Sequence, residues 1–127
     1  MSYMATQAQS ILIEMFPATP FKRVFDEHYL NYKKQKLFFD FFVPEINVFF
    51  EIQGRQHTEF VKHFHGDKSK FLGQKNRDVL KLEYVQLNDL YLVYLNYDET
   101  LSKELLYDRI NAAMCSEYHC SGLVGLG

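Results

Sequence analysis

Asp40-Phe41-Phe42-Val43-Pro44-Glu45-Ile46-Asn47-Val48-Phe49-Phe50-Glu51-Ile52-Gln53 is the stretch on which the reading of this chain turns. Two aromatic-rich apolar runs flank the short loop Pro44-Glu45-Ile46-Asn47, a pattern that predicts a β-hairpin. Pairing Val43 with Val48 across that loop sets Asp40 opposite Glu51 on one face of the sheet. Directly opposed residues hold their Cβ atoms roughly 4.5–5.5 Å apart. Two carboxylates that close on an apolar sheet repel each other unless a proton or a cation lies between them. Strand alternation turns Gln53 to the same face as Glu51. An Asp, a Glu and a polar side chain on paired strands thus form a candidate metal site for phosphodiester chemistry. Inward charges on an edge strand also guard against aggregation. Here, however, the acids sit within Leu37-Phe38-Phe39 and Val48-Phe49-Phe50, where unpaired charges are costly, and this favours a site.

Working outward, Thr6 to Phe16 predicts a first helix, capped by Thr6 and ended by Pro17 and Pro20. Phe21–Phe25 predicts a short strand, and Tyr29–Tyr32 reads as another strand or as irregular chain. The hairpin strands are Leu37–Val43 and Val48–Gln53. A loop through His63 and His65 leads to a long polar helix over Ser69–Asn88. Leu90–Leu95 is apolar throughout, as in a strand buried on both faces. A last helix starts at Asp98 or Thr100 and runs to Met114. The expected fold is α/β in the α+β sense, a mixed sheet with helices packed on it, in the order α-β-β-β-α-β-α. Residues 1–115 read as a single domain and 116–127 as a flexible C-terminal tail.

The 127 residues are 47% hydrophobic and 17% aromatic, enough to build a core. No apolar run is long enough for a transmembrane helix, and the N-terminus lacks the pattern of a secretory signal. The expected location is the cytoplasm, bacterial or of an infected host cell, with no membrane partner. A net charge of −2 argues against a strong sequence-independent grip on nucleic acid. Local basic surfaces remain, from Lys33, Lys34 and Lys36 before the hairpin and from Lys62 to Lys81 after it. Cys115 and Cys120, with His119, are too few for a structural zinc site and read as free thiols.

On the long helix, Gln74, Asp78, Lys81 and Val85 share one stripe. Asp78 and Lys81 read equally well as a solvated ion pair or as residues of the hairpin's cleft. His57, four residues after Gln53, is placed to reach a phosphate or a water. His28, His63, His65 and His119 have no such placement.

Phe-Asp40-Phe, then Phe-Glu51-Ile-Gln53-Gly54-Arg-Gln56-His57, then Gln74-Lys75-Asn-Arg77-Asp78-Val-Leu-Lys81 resembles the PD-(D/E)XK nuclease superfamily. More narrowly, it is similar to the branch of very-short-patch-repair, phage and homing endonucleases. The resemblance spans residues 5 to 97 and implies a restriction-endonuclease-like core. It implies that Asp40 and Glu51 bind the metal, that Gln53 replaces the usual lysine, and that His57 and Asp78 lie near the site. Where that branch often carries a Glu in the first helix, this chain has Gln9, and Glu14 falls elsewhere on the helix.

The function so implied is a metal-dependent DNA endonuclease, related to phage or mobile elements. Mg²⁺, or Mn²⁺, would sit on Asp40, Glu51 and the Ile52 carbonyl, with waters completing an oxygen shell. Lys81 or His57 would stabilise developing charge or move a proton. Lys33, Lys34, Arg55 and Lys75 would touch phosphates, which position DNA without reading its sequence. Two alternatives stay open: a junction-selective resolvase acting as a homodimer, and a catalytically silent subunit of a larger DNA-processing assembly.

Overall fold

The computed structural model describes residues 2–19, 28–54 and 68–123, with only the backbone of His28 and of residues 68–75. The helices are α1 (Tyr3–Met15), α2 (Lys68–Leu87) and α3 (Lys103–Cys115). The strands are β1 (His28–Tyr32), β2 (Gln35–Phe39), β3 (Phe41–Val43), β4 (Val48–Gln53), β5 (Tyr91–Asn96) and β6 (Cys120–Ser121). The fold is mixed α and β, as expected. Among the described residues its order is α-β-β-β-β-α-β-α-β, with one strand more on each side of the α2-β5-α3 segment than the sequence predicts. The predicted strand Phe21–Phe25 lies outside the described residues. No described helix is long and apolar enough to cross a membrane.

Ser2, rather than Thr6, caps α1: its Oγ accepts from the Ala5 N–H at 3.1 Å. Ser102 caps α3 in the same way, accepting from the Leu105 N–H at 3.1 Å. Both hydroxyls satisfy backbone donors that a helix start leaves without a partner.

The predicted hairpin register is correct: Val43 pairs with Val48, Phe42 with Phe49 and Phe41 with Phe50. The first arm, however, is not one strand over Leu37–Val43. It breaks at Asp40 into β2 and β3. β2 leaves the main sheet and pairs antiparallel with β1, from His28↔Phe39 to Tyr32↔Gln35. Lys33 and Lys34 form the turn between them with φ of 49° and 64°. Positive φ at both central positions matches the right-handed twist of a tight hairpin.

The main sheet has the order β3-β4-β5-β6. β4 and β5 run parallel with Glu51 beside Tyr94 and Gln53 beside Asn96. β5 is thus a central strand, as its apolar run predicts. Side-chain alternation splits the sheet into two faces. One face carries Val48, Phe50, Val93 and Leu95 against α1 and α3. The other carries Phe49, Leu92 and Tyr94 against α2 and the inner side of the β1–β2 hairpin. There the Phe39 and Phe49 rings stack at 4.1 Å.

The expected flexible tail is corrected in part. Residues 116–123 turn back, and β6 pairs parallel with β5 through Leu92↔Cys120 and Val93↔Ser121. The Ser121 hydroxyl donates to the Arg109 carbonyl at 2.6 Å. Gly122 adopts φ +80°, and a Cβ there would stand 2.2 Å from the Tyr94 carbonyl oxygen. That close approach requires glycine.

Candidate functional site

Three elements converge on the α2 face of the sheet. β4 brings Glu51 and Gln53, the β2–β3 break brings Asp40, and α2 brings Lys81 with Asp78 one turn before it. Asp40 does not extend the ladder to face Glu51 as a paired residue. Its Oδ2 instead accepts from the Ile52 N–H at 2.8 Å, taking the place of a backbone carbonyl. This local side-chain bond is an alternative to sheet pairing and explains why the strand breaks at Asp40. Alternate residues in a strand turn their N–H and C=O groups to opposite neighbours. The Gln53 carbonyl accepts from the Tyr97 N–H on the β5 side. Both backbone groups of Ile52 therefore face the edge where Asp40 lies.

Lys81 is buried, with 4% of its side chain exposed, and its Nζ stands 2.6 Å from Glu51 Oε2. The ammonium also lies 5.3 Å from the centre of the Phe39 ring. Removal from water pushes the Glu51 carboxyl up to about 7; Lys81 opposes this, and the charges of Asp40 and Asp78 add to it. Asp40 is also raised by burial, against the Ile52 hydrogen bond and the charge of Lys81. Asp40, Glu51, Asp78 and Lys81 thus share one electrostatic environment. Lys81 is buried against Glu51 rather than solvated.

Two further residues border this group. Tyr94 lies beside Glu51, and burial raises its hydroxyl well above its ordinary pKa, with Glu51 and Asp78 adding to the effect. Asn96 lies beside Gln53 and donates from Nδ2 to Glu99 and to the Gly122 carbonyl. Gln53 Oε1, Tyr94 Oη and Asn96 Oδ1 are buried and lack hydrogen-bond partners among the described residues. An orphaned buried polar group typically costs about 1–3 kcal/mol. Sequence reasoning missed Tyr94 and Asn96. Their only signal is a hydroxyl and an amide within an apolar run, and linking them to Glu51 needs the parallel register. Cys120 feels Asp78, but burial pushes its thiol up to about 12, which leaves it unreactive.

The remaining sequence candidates fare differently. Arg55 and His57 lie outside the described residues, and Gln74 and Lys75 are described only as backbone on α2. Lys33 pairs with Glu83 of α2, and Lys34 is exposed at the hairpin turn. Glu14 pairs with Lys103. α1 packs on the opposite face of the sheet, so it brings no acid to Glu51.

The donors present suit a hard divalent cation. Among the described residues no three His, Cys, Asp or Glu side chains form a ready metal cage. The candidate oxygens are the Asp40 and Glu51 carboxylates, the Gln53 amide and the Ile52 carbonyl, carried by the β2–β3 break and by β4. Mg²⁺ accepts such an incomplete set of oxygens because it retains several waters.

No family model matches the chain, and no solved structure matches it. The chain is similar to an uncharacterized protein, 307L, of Invertebrate iridescent virus 6, with 31% identity over 71 residues. That match covers 56% of this chain and 36% of the viral protein, so the chain spans little more than a third of that relative.

Proposed function

We propose that the protein is a metal-dependent endonuclease that hydrolyses phosphodiester bonds in DNA, on a restriction-endonuclease-like core of the PD-(D/E)XK kind. The observation that carries this reading is the meeting of Asp40, Glu51 and Lys81 from three elements in one buried cluster, with Glu51 held near pH 7. Perturbed carboxyls beside a buried lysine are candidates for a functional site. Similarity to an iridescent-virus protein supports a virus-related setting.

Asp40 and Glu51 would hold Mg²⁺ or Mn²⁺, with the Ile52 carbonyl as a further oxygen. When bound, the ion supplies charge neutralisation at the phosphate and a more acidic attacking water. Lys81 places a fixed ammonium in a dry site, where it stabilises negative charge developing on the phosphate. Gln53 orients the water through its free amide oxygen. Phe39 and Phe49 exclude bulk solvent, which strengthens each of these interactions.

A second reading rests on one observation. The Lys81–Glu51 pair is closed at 2.6 Å, and a closed pair also suits a fold kept as a silent assembly subunit. Plasmid nicking with Mg²⁺ and with EDTA separates the two. The nuclease nicks only with metal and loses nicking in Glu51→Gln. A silent subunit nicks neither supercoiled, linear nor branched DNA. Strong preference for a four-way junction would shift the assignment to a resolvase.

A further inference from the structure

Inward-facing Leu30, Tyr32, Leu37 and Phe39 account for how the β1–β2 hairpin packs. Its outer face has no such role. Tyr29 and Phe38 are opposed across the ladder there, 59% and 43% exposed. Their ring centres lie 5.7 Å apart with planes 39° from parallel. Asn31 and Lys36 are the next opposed pair on that face, and both are exposed. Two large aromatic rings side by side in water are unfavourable for a free surface.

The charge around the rings is one-sided. Residues 28–39 contain Lys33, Lys34 and Lys36 and no acid, in a chain of net charge −2. Lys33 is turned back to Glu83. Lys36 sits 5.0 Å above the Tyr29 ring centre. Lys34 stands at the turn with φ 64°. Phe38 is two residues from Asp40 in the sequence.

We propose that the outer face of the β1–β2 hairpin is a stacking platform for an unpaired polynucleotide segment, with Tyr29 and Phe38 receiving bases and Lys34 and Lys36 the phosphates. Aromatic rings accept any base through its π-face, while nearby lysines track the backbone. A paired duplex hides its base faces and cannot use the rings. A protein partner of the same aromatic surface has no need of two lysines, Lys34 and Lys36, beside the rings. The proposal rests on the nucleic-acid half of the nuclease reading, and it narrows the substrate to strands that are single or locally opened.

The chain has no tryptophan, so Tyr29→Trp supplies a single reporter on the platform. The full chain carrying it is titrated in EDTA, where no metal-dependent cleavage occurs, with oligo-dT, oligo-rU and a DNA duplex of equal length. The expected result is saturable quenching by either single strand, with duplex bound at least about tenfold more weakly. Phe38→Ala and Phe38→Leu should each weaken single-strand binding about tenfold, because leucine keeps apolar bulk but cannot stack. Lys34→Ala with Lys36→Ala should lower the salt dependence by about one to two released counterions. Circular dichroism confirms that each variant is folded. Equal binding of duplex, no quenching, or unchanged binding by Phe38→Leu overturns the platform. Failure of every oligonucleotide to bind, with a change of oligomeric state in the Phe38 variants, reassigns the face to protein contact. Intact strand binding with no nicking under Mg²⁺ leaves the platform standing and removes the nuclease reading.

Discussion

On the α1 and α3 side of the four-stranded sheet, Val48, Phe50, Val93 and Leu95 pack against Leu12, Leu106, Ile110 and Ala113 with no polar side chain among them. On the α2 side, the same two strands present Glu51, Gln53, Tyr94 and Asn96 in register, with Lys81 pressed against them. One face is organised by apolar burial, which stabilises by roughly 25 cal/mol per Å². The other holds a charge pair and three polar atoms without partners among the described residues, where apolar residues of the same volume are often as stable or more so. On the proposed nuclease reading, the second arrangement, on the opposite face of the same two strands, gives up stability for chemistry.

The largest effect that could break this contrast is catalytic. Glu51→Gln should lower metal-dependent nicking about a thousandfold, the several kcal/mol that a metal site supplies at a phosphate. Wild-type nicking by a folded Glu51→Gln would reduce the polar face to a structural ion pair. On the dry face, Leu106→Ala should lower unfolding stability by about 3 kcal/mol through a cavity, read by urea denaturation. It should leave the metal dependence of nicking unchanged.

The pH dependence belongs to the polar face alone. Glu51 holds its proton to about pH 7 when folded, against an ordinary glutamate value of about 4.3 when unfolded. Between those values the folded chain binds more protons than the unfolded one, so stability falls as pH rises through that window and levels off above it. The loss should reach about 3–4 kcal/mol without metal. Melting curves from pH 4 to 8 should show the slope in the wild type and lose most of it in Glu51→Gln. A smaller contrast separates breaking the pair from replacing it. Lys81→Met strands a buried carboxyl and should cost about 2 kcal/mol, while Lys81→Met with Glu51→Met should return to within about 1 kcal/mol of the wild type. A double variant less stable than Lys81→Met would show that the pair carries the fold. The smallest effect is on the hairpin's outer face. Tyr29→Ala and Phe38→Ala should each change stability by about 1 kcal/mol or less, because the two rings form only an exposed cross-strand pair.

The sequence made the β3–β4 register readable because a four-residue turn between apolar runs leaves few pairings for Val43 and Val48. It made β5 readable because an unbroken apolar run suits a strand covered on both sides. It did not reveal the break at Asp40, where one side-chain hydrogen bond to Ile52 replaces a backbone rung and no periodicity changes. β6 escaped for a related reason: two residues near Gly122 carry no pattern, and their pairing depends on the Tyr94–Arg109 cradle. For the site, Asp40 and Glu51 were visible as acids out of place. Lys81 could not be told from a surface lysine, because helical spacing fixes its stripe but not the depth at which α2 lies on the sheet.

The junction at Asp40 has a mechanical meaning. β2 and β3 belong to different ladders joined by one residue, so Asp40 is the seam between the β1–β2 hairpin and the main sheet. The Asp40–Ile52 bond pins the seam, Glu83 on α2 holds the turn end through Tyr32 and Lys33, and buried Leu37 and Phe39 root the hairpin in the core. Any displacement of the hairpin would have to lift those side chains as well as shift one of the two carboxylates.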